Sequence, residues 1–293
     1  MNILIAICTH KRPEGLKRLL ASLDAYLPTD NRPDILVVDN APDHMPEVTR
    51  DLCKDVKRIT EPHKGYVYPR NAALKYALEK NYETMIFLDD DEYITEGWYH
   101  EITKPTLYKN YDYIAGPVYP DFEKEKLAHA PWLIKTNIYA PSGTEGPVKI
   151  GKGIATNNIL IKLNNVRDHN LRFDEKYNDI GGEDVAFFFK LQKLGAKGYY
   201  AANAKVMEVL SEDRYSYEYF KNRMRNSLNA GVLAYTEAFG VFKTLRFYFP
   251  RIIAHFIFGL YSFFTRNKYK TKYHLFASKF QFLALKKSFC SNK

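Results

Sequence analysis

The stretch TMIFLDDDE, residues 84–92, decides how the chain is read. Thr84 to Leu88 is an apolar, β-prone run of strand length, and it ends in Asp89, Asp90, Asp91 and Glu92. Parallel sheets bind their ligands outside the carboxyl ends of their strands. Four acids placed there repel one another and call for a hard, oxygen-bound cation that in turn carries an anionic ligand. A solvated turn explains any single Asp, but it explains three in a row at the end of a buried-looking strand poorly.

Working outward, residues 2–8 (NILIAIC) form an apolar run of strand length. Pro13 stands where a helix begins, and Leu16, Leu19, Leu20, Leu23 and Leu27 follow at helical spacing. Residues 35–38 make a second strand, which ends in Asp39-Asn40. After a polar, proline-containing stretch, residues 63–70 read as a loop and 71–80 as a helix feeding the acidic strand. Strand, helix, strand, helix, strand is the opening of a doubly wound α/β fold. Beyond it, residues 113–118 and 158–161 read as strands, and residues 120–153 as loops lying over a site. Gly181-Gly182-Glu183-Asp184 opens a helix with Val185, Phe188, Phe189, Leu191 and Leu194 on its apolar face and Gly195 as its stop. Residues 197–201 read as a strand, and the chain is mostly helical from Tyr217.

The 293 residues suit one large α/β domain with an appendage, and 46% hydrophobic with 26% charged residues is an ordinary globular composition. The net charge of +9 is unevenly spread: from Val241 onward there are eleven Lys/Arg and no Asp or Glu, so residues 1–240 sit near −2. Fifteen aromatics interleave with those eleven cations. Such a tail fits interfacial helices against an anionic membrane surface; packing on the body or a homodimer contact are its alternatives. Nucleic acid fits poorly, because the body is not basic and carries no nucleic-acid-binding motif. Three scattered cysteines argue for a reducing compartment and against structural zinc. The N-terminus enters a strand without a basic n-region, so no signal peptide is expected. The apolar run 252–264 falls short of the roughly 20 residues that span a bilayer, so no transmembrane helix is expected.

Four polar constellations fall at strand ends or helix starts: Thr9-His10-Lys11-Arg12, Asp39, Asp89 with Asp91, and Glu183-Asp184. With these in order, the chain resembles a family 2 glycosyltransferase of the GT-A fold, the nucleotide-diphospho-sugar transferase fold. ILIAICTHKRPEGLKRLLASL resembles the family's opening strand, T-x-x-R loop and helix. ILVVDN resembles its second strand with a base-binding Asp. HKGYVYPRNAALKYA resembles the N-x-G…R-N-x-A segment, with His63 where Asn is usual, while FLDDDE resembles the D-x-D motif and GGEDVAFFFKLQKLG the E-D helix. The ordered match covers about residues 2–230.

The resemblance implies a catalytic domain over 1–230, with a nucleotide-binding half to about 110 and an acceptor half from about 111, followed by a helical extension over 231–293 that associates with membrane. It also implies an inverting sugar transfer from a nucleotide-sugar donor, UDP-linked by preference, to a hydroxyl of a glycan or lipid-linked glycan. The setting it implies is bacterial surface polysaccharide or lipo-oligosaccharide synthesis at the cytoplasmic face of the cell membrane. Leaving diphosphate requires charge neutralisation, which Mn²⁺ or Mg²⁺ on carboxylates supplies. The implied metal set is Asp91, Asp89 and Glu208. Thr9, Arg12, Asp39, Arg70, Asp89 and Asp90 would line the donor, with Asp39 on the base and Arg70 near the diphosphate. The acceptor hydroxyl must lose a proton, and the resemblance gives that task to Asp184, with Glu183 orienting; acids in a helix's first turn also merely complement its dipole. Arg214, Arg223 and Arg225 are cations for a phosphate or a solvated basic face. Trp98 and Trp132 suit packing better than sugar stacking. A nucleotidyltransferase would need a glycine-rich loop after the first strand, which CTHKRPEG does not supply. A degenerate, non-catalytic binding protein sits badly with intact Asp89, Asp91, Glu183 and Asp184.

Overall fold

Six of the seven residues of Ile3–Thr9 are buried, because helices cover both faces of the sheet in which this strand lies near the centre. The chain is seen in a computed structural model that describes residues 2–41, 56–136, 139 and 143–290. The proline-containing stretch after Ala41, with Cys53, lies outside the described residues, as does the side chain of Cys290. The strands in chain order are β1 (Ile3–Thr9), β2 (Asp34–Asp39), β3 (Val56–Thr60), β4 (Thr84–Asp89), β5 (Glu92–Ile94), β6 (Tyr113–Ala115), β7 (Val118–Asp121), β8 (Gly146–Pro147), β9 (Ile159–Lys162), β10 (Gly198–Tyr200) and β11 (Val206–Val209). The long helices are α1 (Pro13–Tyr26), α2 (Val67–Glu79), α3 (Glu183–Lys193), α4 (Tyr217–Phe239), α5 (Val241–Phe264) and α6 (Lys268–Cys290).

The main sheet runs β3-β2-β1-β4-β9-β6-β10-β8, and β5-β11-β7 form a second, small sheet. The first four strands are mutually parallel, as the βαβ pattern requires. β9 is antiparallel to both β4 and β6, so the sheet is mixed rather than purely doubly wound. Alternation along β1 divides the core. Ile3, Ile5 and Ile7 meet Leu16, Leu19, Leu20 and Leu23 of α1, whereas Leu4 and Ala6 meet Ala73, Leu74 and Ala77 of α2. Each α1 leucine sealed in this way contributes about 1.5–3 kcal/mol.

Three local expectations change. Residues 67–70 open α2 instead of closing a loop, since Pro69 sits in the first turn, where no N–H is needed. The stretch 120–153 holds two one-turn-scale helices, Lys124–His129 and Pro131–Thr136. Finally, α5 continues through Pro250 for 24 residues and contains an 18-residue window of mean hydropathy 1.3. Among the described residues one helix is therefore long and apolar enough to cross a membrane by length and composition, where none was expected.

Asn158 locks the two sheets together. Its side chain is fully buried, accepts from Trp98 Nε1 at 2.8 Å, and donates to the carbonyls of Pro117 (2.9 Å) and Ala204 (2.7 Å). Asn158→Ala orphans the Trp98 N–H and the Ala204 carbonyl at about 1–3 kcal/mol each, while the Pro117 carbonyl keeps the Val206 N–H at 3.1 Å. Urea unfolding is expected to show a loss of about 2 kcal/mol or more; a loss under about 1 kcal/mol would mean that water replaces the amide.

Candidate active site

Parallel pairing brings three strand ends to one level. Thr9 of β1 pairs with Asp39 of β2, and Cys8 of β1 pairs with Asp89 of β4. The acids that follow β4 then diverge. Asp90 turns back under the first loop: it accepts from Thr9 Oγ1 (2.8 Å), from the His10 N–H (3.3 Å) and from Arg12 (3.0 Å). A Cβ on Gly15 would stand 2.4 Å from the Asp90 carbonyl oxygen, so α1 sits directly on this turn. Burial pushes the Asp90 carboxyl up to about 6 despite the pull of Arg12. Glu92, expected with the acids that face a ligand, is fully buried instead and accepts the Asp89 N–H at 2.9 Å. Burial, and next the charge of Asp89, raise it well above the carboxylate range. Its second oxygen is buried without a partner.

Asp91 meets Glu208 through Arg214. Strand β11 lies antiparallel to β5, with Glu208 opposite Glu92, and the Val209 N–H donates to the Asp91 carbonyl at 3.0 Å. A short 3₁₀ turn, Glu212–Tyr215, then delivers Arg214. Its guanidinium donates to Glu208 Oε1 and, at 3.2 Å, to Asp91 Oδ2. The same Asp91 oxygen accepts from Arg12 at 2.8 Å. Burial, then the neighbouring Asp89, raise the Asp91 pKa.

The opposite wall is the start of α3. Gly181 and Gly182 are both left-handed (φ 75° and 85°), a conformation that favours glycine. A Cβ on Gly182 would lie 2.6 Å from Ala230 of α4, so the turn also needs the missing side chain. This turn presents Glu183 and Asp184. Glu183 pairs with Arg70 from the first turn of α2, and Arg70 also reaches Asp89 at 3.5 Å. That guanidinium ties the α3 acids to the β4 acids. Asp184 is half-buried and accepts the Val185 N–H at 2.7 Å. Burial, then the charge of Glu183, push its carboxyl up to about 6.

Asp39 is 2% exposed; one oxygen accepts the Ala41 N–H at 2.8 Å, and the other is buried with no partner. It is an acceptor that lacks a donor. Asn40 was not anticipated. It donates to the carbonyls of Glu61 and His63 and accepts the Gly65 N–H, shaping the loop that leads to α2. Only its place after a strand-ending Asp hinted at this. Arg223 reaches Tyr219 and Arg225 is exposed, so of the three arginines Arg214 alone joins the acids. Trp98 and Trp132 are buried in packing.

Every acid in this cluster offers hard oxygen donors, and Asp89, Asp91, Glu208, Glu183 and Asp184 outnumber Arg12, Arg70 and Arg214. That surplus suits a divalent cation. Among the described residues no three ligating groups already stand together, and Arg214 bridges Asp91 and Glu208. The carboxylates of Asp89, Asp91 and Glu208 suit Mg²⁺ or Mn²⁺ in donor chemistry.

Residues 4–170 match the family model described as glycosyl transferase family 2. Succinoglycan biosynthesis protein ExoM of Rhizobium meliloti (strain 1021) is 26% identical over 252 residues, which cover 82% of this chain and 78% of that protein. S. aureus TarS 1–349 with UDP-GlcNAc superposes with a TM-score of 0.57 at 14% identity, over 80% of this chain and 67% of that one. GalNAc-T7, solved with UDP, GalNAc and Mn²⁺, gives 0.57 at 14% identity, over 78% of this chain and 47% of that one. At such identities these structures attest the GT-A fold and nothing finer.

Proposed function

We propose that this chain, which belongs to glycosyltransferase family 2, moves a sugar from a UDP-sugar to a hydroxyl of a glycan or lipid-linked glycan with inversion. The observation that carries the reading is Asp184: a half-buried carboxylate with a raised pKa, at the mouth of α3, joined through Glu183 and Arg70 to the acids after β4.

Asp39 would take an N–H of the base on its unpartnered oxygen, with Thr9 beside it. Asp89 would face the ribose and diphosphate, and Arg70 and Arg214 would lie against phosphate oxygens. When bound, a divalent cation on Asp89, Asp91 and Glu208 would offset the charge that develops on the leaving diphosphate. Glu183, fixed by Arg70, would orient the acceptor, and Asp184 would take its proton as the hydroxyl attacks the anomeric carbon. With one base and no separate nucleophile, a single displacement inverts that centre. Asp90 would act through the loop, holding Thr9 and Arg12 in place. Calorimetry against UDP, GDP, CMP and dTDP, each with Mn²⁺ and with EDTA, tests the reading. Metal-dependent binding of UDP is expected; no binding of any nucleotide would overturn it.

The relative in succinoglycan biosynthesis supports a role in polysaccharide assembly, and the tail supports a site at the cytoplasmic face of the membrane. Helix α5 is inside out for water. Thr244, Gly259 and Ser262 are buried against its neighbours, while Phe249, Ile253, Phe256, Ile257, Phe263 and Phe264 are exposed. An apolar face flanked by cations is the composition of a membrane-bound helix. Phe256→Ser/Phe263→Ser/Phe264→Ser, which removes exposed rings only, is expected to shift the protein from sedimenting with anionic vesicles to the supernatant. Unchanged sedimentation would assign the face to protein contacts.

A further inference from the structure

A second cavity lies away from the acids, where the tail helices dock on the body. It holds about 290 Å³ between the segment His129–Trp132, the start of α4 and the start of α6. Its walls are Trp132, Tyr215, Tyr217 and Tyr269, and His129 and Lys272 stand at its rim. No Asp or Glu lines it. Lys272 lies over the Tyr217 ring at 5.8 Å, and Lys135 and Lys268 lie over Tyr269 at 5.4 and 5.2 Å. Among the described residues none of these three lysines has an ion-pair partner, although Lys126 nearby has two. The Tyr217 hydroxyl is buried without any hydrogen-bond partner.

What is missing here is an acceptor. Lysine ammonium groups only donate, and a buried phenol without a partner costs free energy that a ligand oxygen would restore. Three uncompensated cations select an anion, and a rigid aromatic wall suits a ligand that is part apolar. The position agrees: Tyr269 follows closely on Phe263 and Phe264, exposed by 66% and 78% at the end of α5. A molecule anchored in a bilayer under those rings would have its head beside the cavity.

We infer that this pocket binds the phosphate headgroup of a lipid, with Lys272 and the Tyr217 hydroxyl on the phosphate oxygens. The inference rests on the membrane contact proposed above, but it concerns a site separate from the donor acids. Tyr215 adjoins Arg214, so a lipid held here would lie next to the Asp91–Glu208 side of the acidic cluster. Two kinds of molecule carry this chemistry, an ordinary phospholipid and a lipid-phosphate-linked acceptor.

The test uses the full chain and two soluble probes, dihexanoyl phosphatidate and citronellyl monophosphate, with Trp132 fluorescence as readout. UDP calorimetry on the same samples monitors the donor site independently. Saturable binding of at least one probe is expected. Tyr217→Phe and Lys272→Ala should each weaken it about tenfold, with UDP binding unchanged and Lys272→Arg restoring most of the loss. Preference for citronellyl phosphate would identify a lipid-linked acceptor, and preference for phosphatidate a phospholipid anchor; either supports the site. Binding of neither probe, affinities indifferent to both substitutions, or equal binding of dihexanoylglycerol, which lacks the phosphate, would each overturn it.

Discussion

Asp184→Asn is expected to leave UDP affinity within about threefold of wild type while turnover falls by about 10²–10⁴, the usual loss when a general base is removed. The amide keeps the shape and still accepts the Val185 N–H, so folding gives no alternative explanation. pH supplies a second readout. The Asp184 carboxyl is pushed up to about 6, chiefly by burial. The ionised form is the base, so wild-type turnover should rise as pH passes through about 6 and be lost in more acid solution. An ordinary Asp would place that limb near pH 4. The residual rate of the Asn variant should lack the limb. A variant within threefold of wild type removes Asp184 from the chemistry; a retained acid limb beside a large loss of turnover would assign the limb to Asp90, whose carboxyl is also pushed up to about 6.

Asp91→Ala should drop UDP affinity in Mn²⁺ to the level seen in EDTA. The fold should survive, because neither arginine is stranded. Arg12 keeps Asp90, Arg214 keeps Glu208, and the repulsion between Asp91 and Asp89 is relieved. If UDP still binds equally well with Mn²⁺ and with EDTA in wild type and variant alike, no metal works there, and Arg214 is left as the cation that faces the diphosphate.

The first half of the fold was legible because its signals are local. The β1 run, the α1 leucines and the β4 run each state their own structure through periodicity. Strands β5 and β11 were not legible. They are three and four residues long, carry Glu92 and Glu208, and form only through tertiary pairing, β5 on β11 and β11 on β5 and β7. β3 (VKRIT) is an edge strand with no fully buried residue, so its pattern is weak. The early start of α2 was missed because no capping side chain marks it and Pro69, which sits in its first turn, reads equally well as part of a loop. The acids of the site were legible by type, but their orientation was not. Asp89, Asp90, Asp91 and Glu92 look equivalent in sequence, yet backbone geometry sends Asp90 to Thr9 and Arg12, and Glu92 into the interior. Arg214 lies 123 positions from Asp91, and only tertiary structure brings them together.

Ala230 leans on Gly182, and the aromatic cluster of Phe189, Tyr235 and Phe247 continues that contact from α3 through α4 into α5. The segment bearing Asp184 and the helix with the outward-facing rings are therefore linked by continuous side-chain packing. Under the membrane and catalytic readings proposed above, that packing would hold the Asp184 carboxylate at a set height above the bilayer. Hydroxyls held lower or higher would miss it however well they matched the pocket. Selection of the acceptor would then be partly a matter of height, set by how far its sugars stand from the lipid that anchors them.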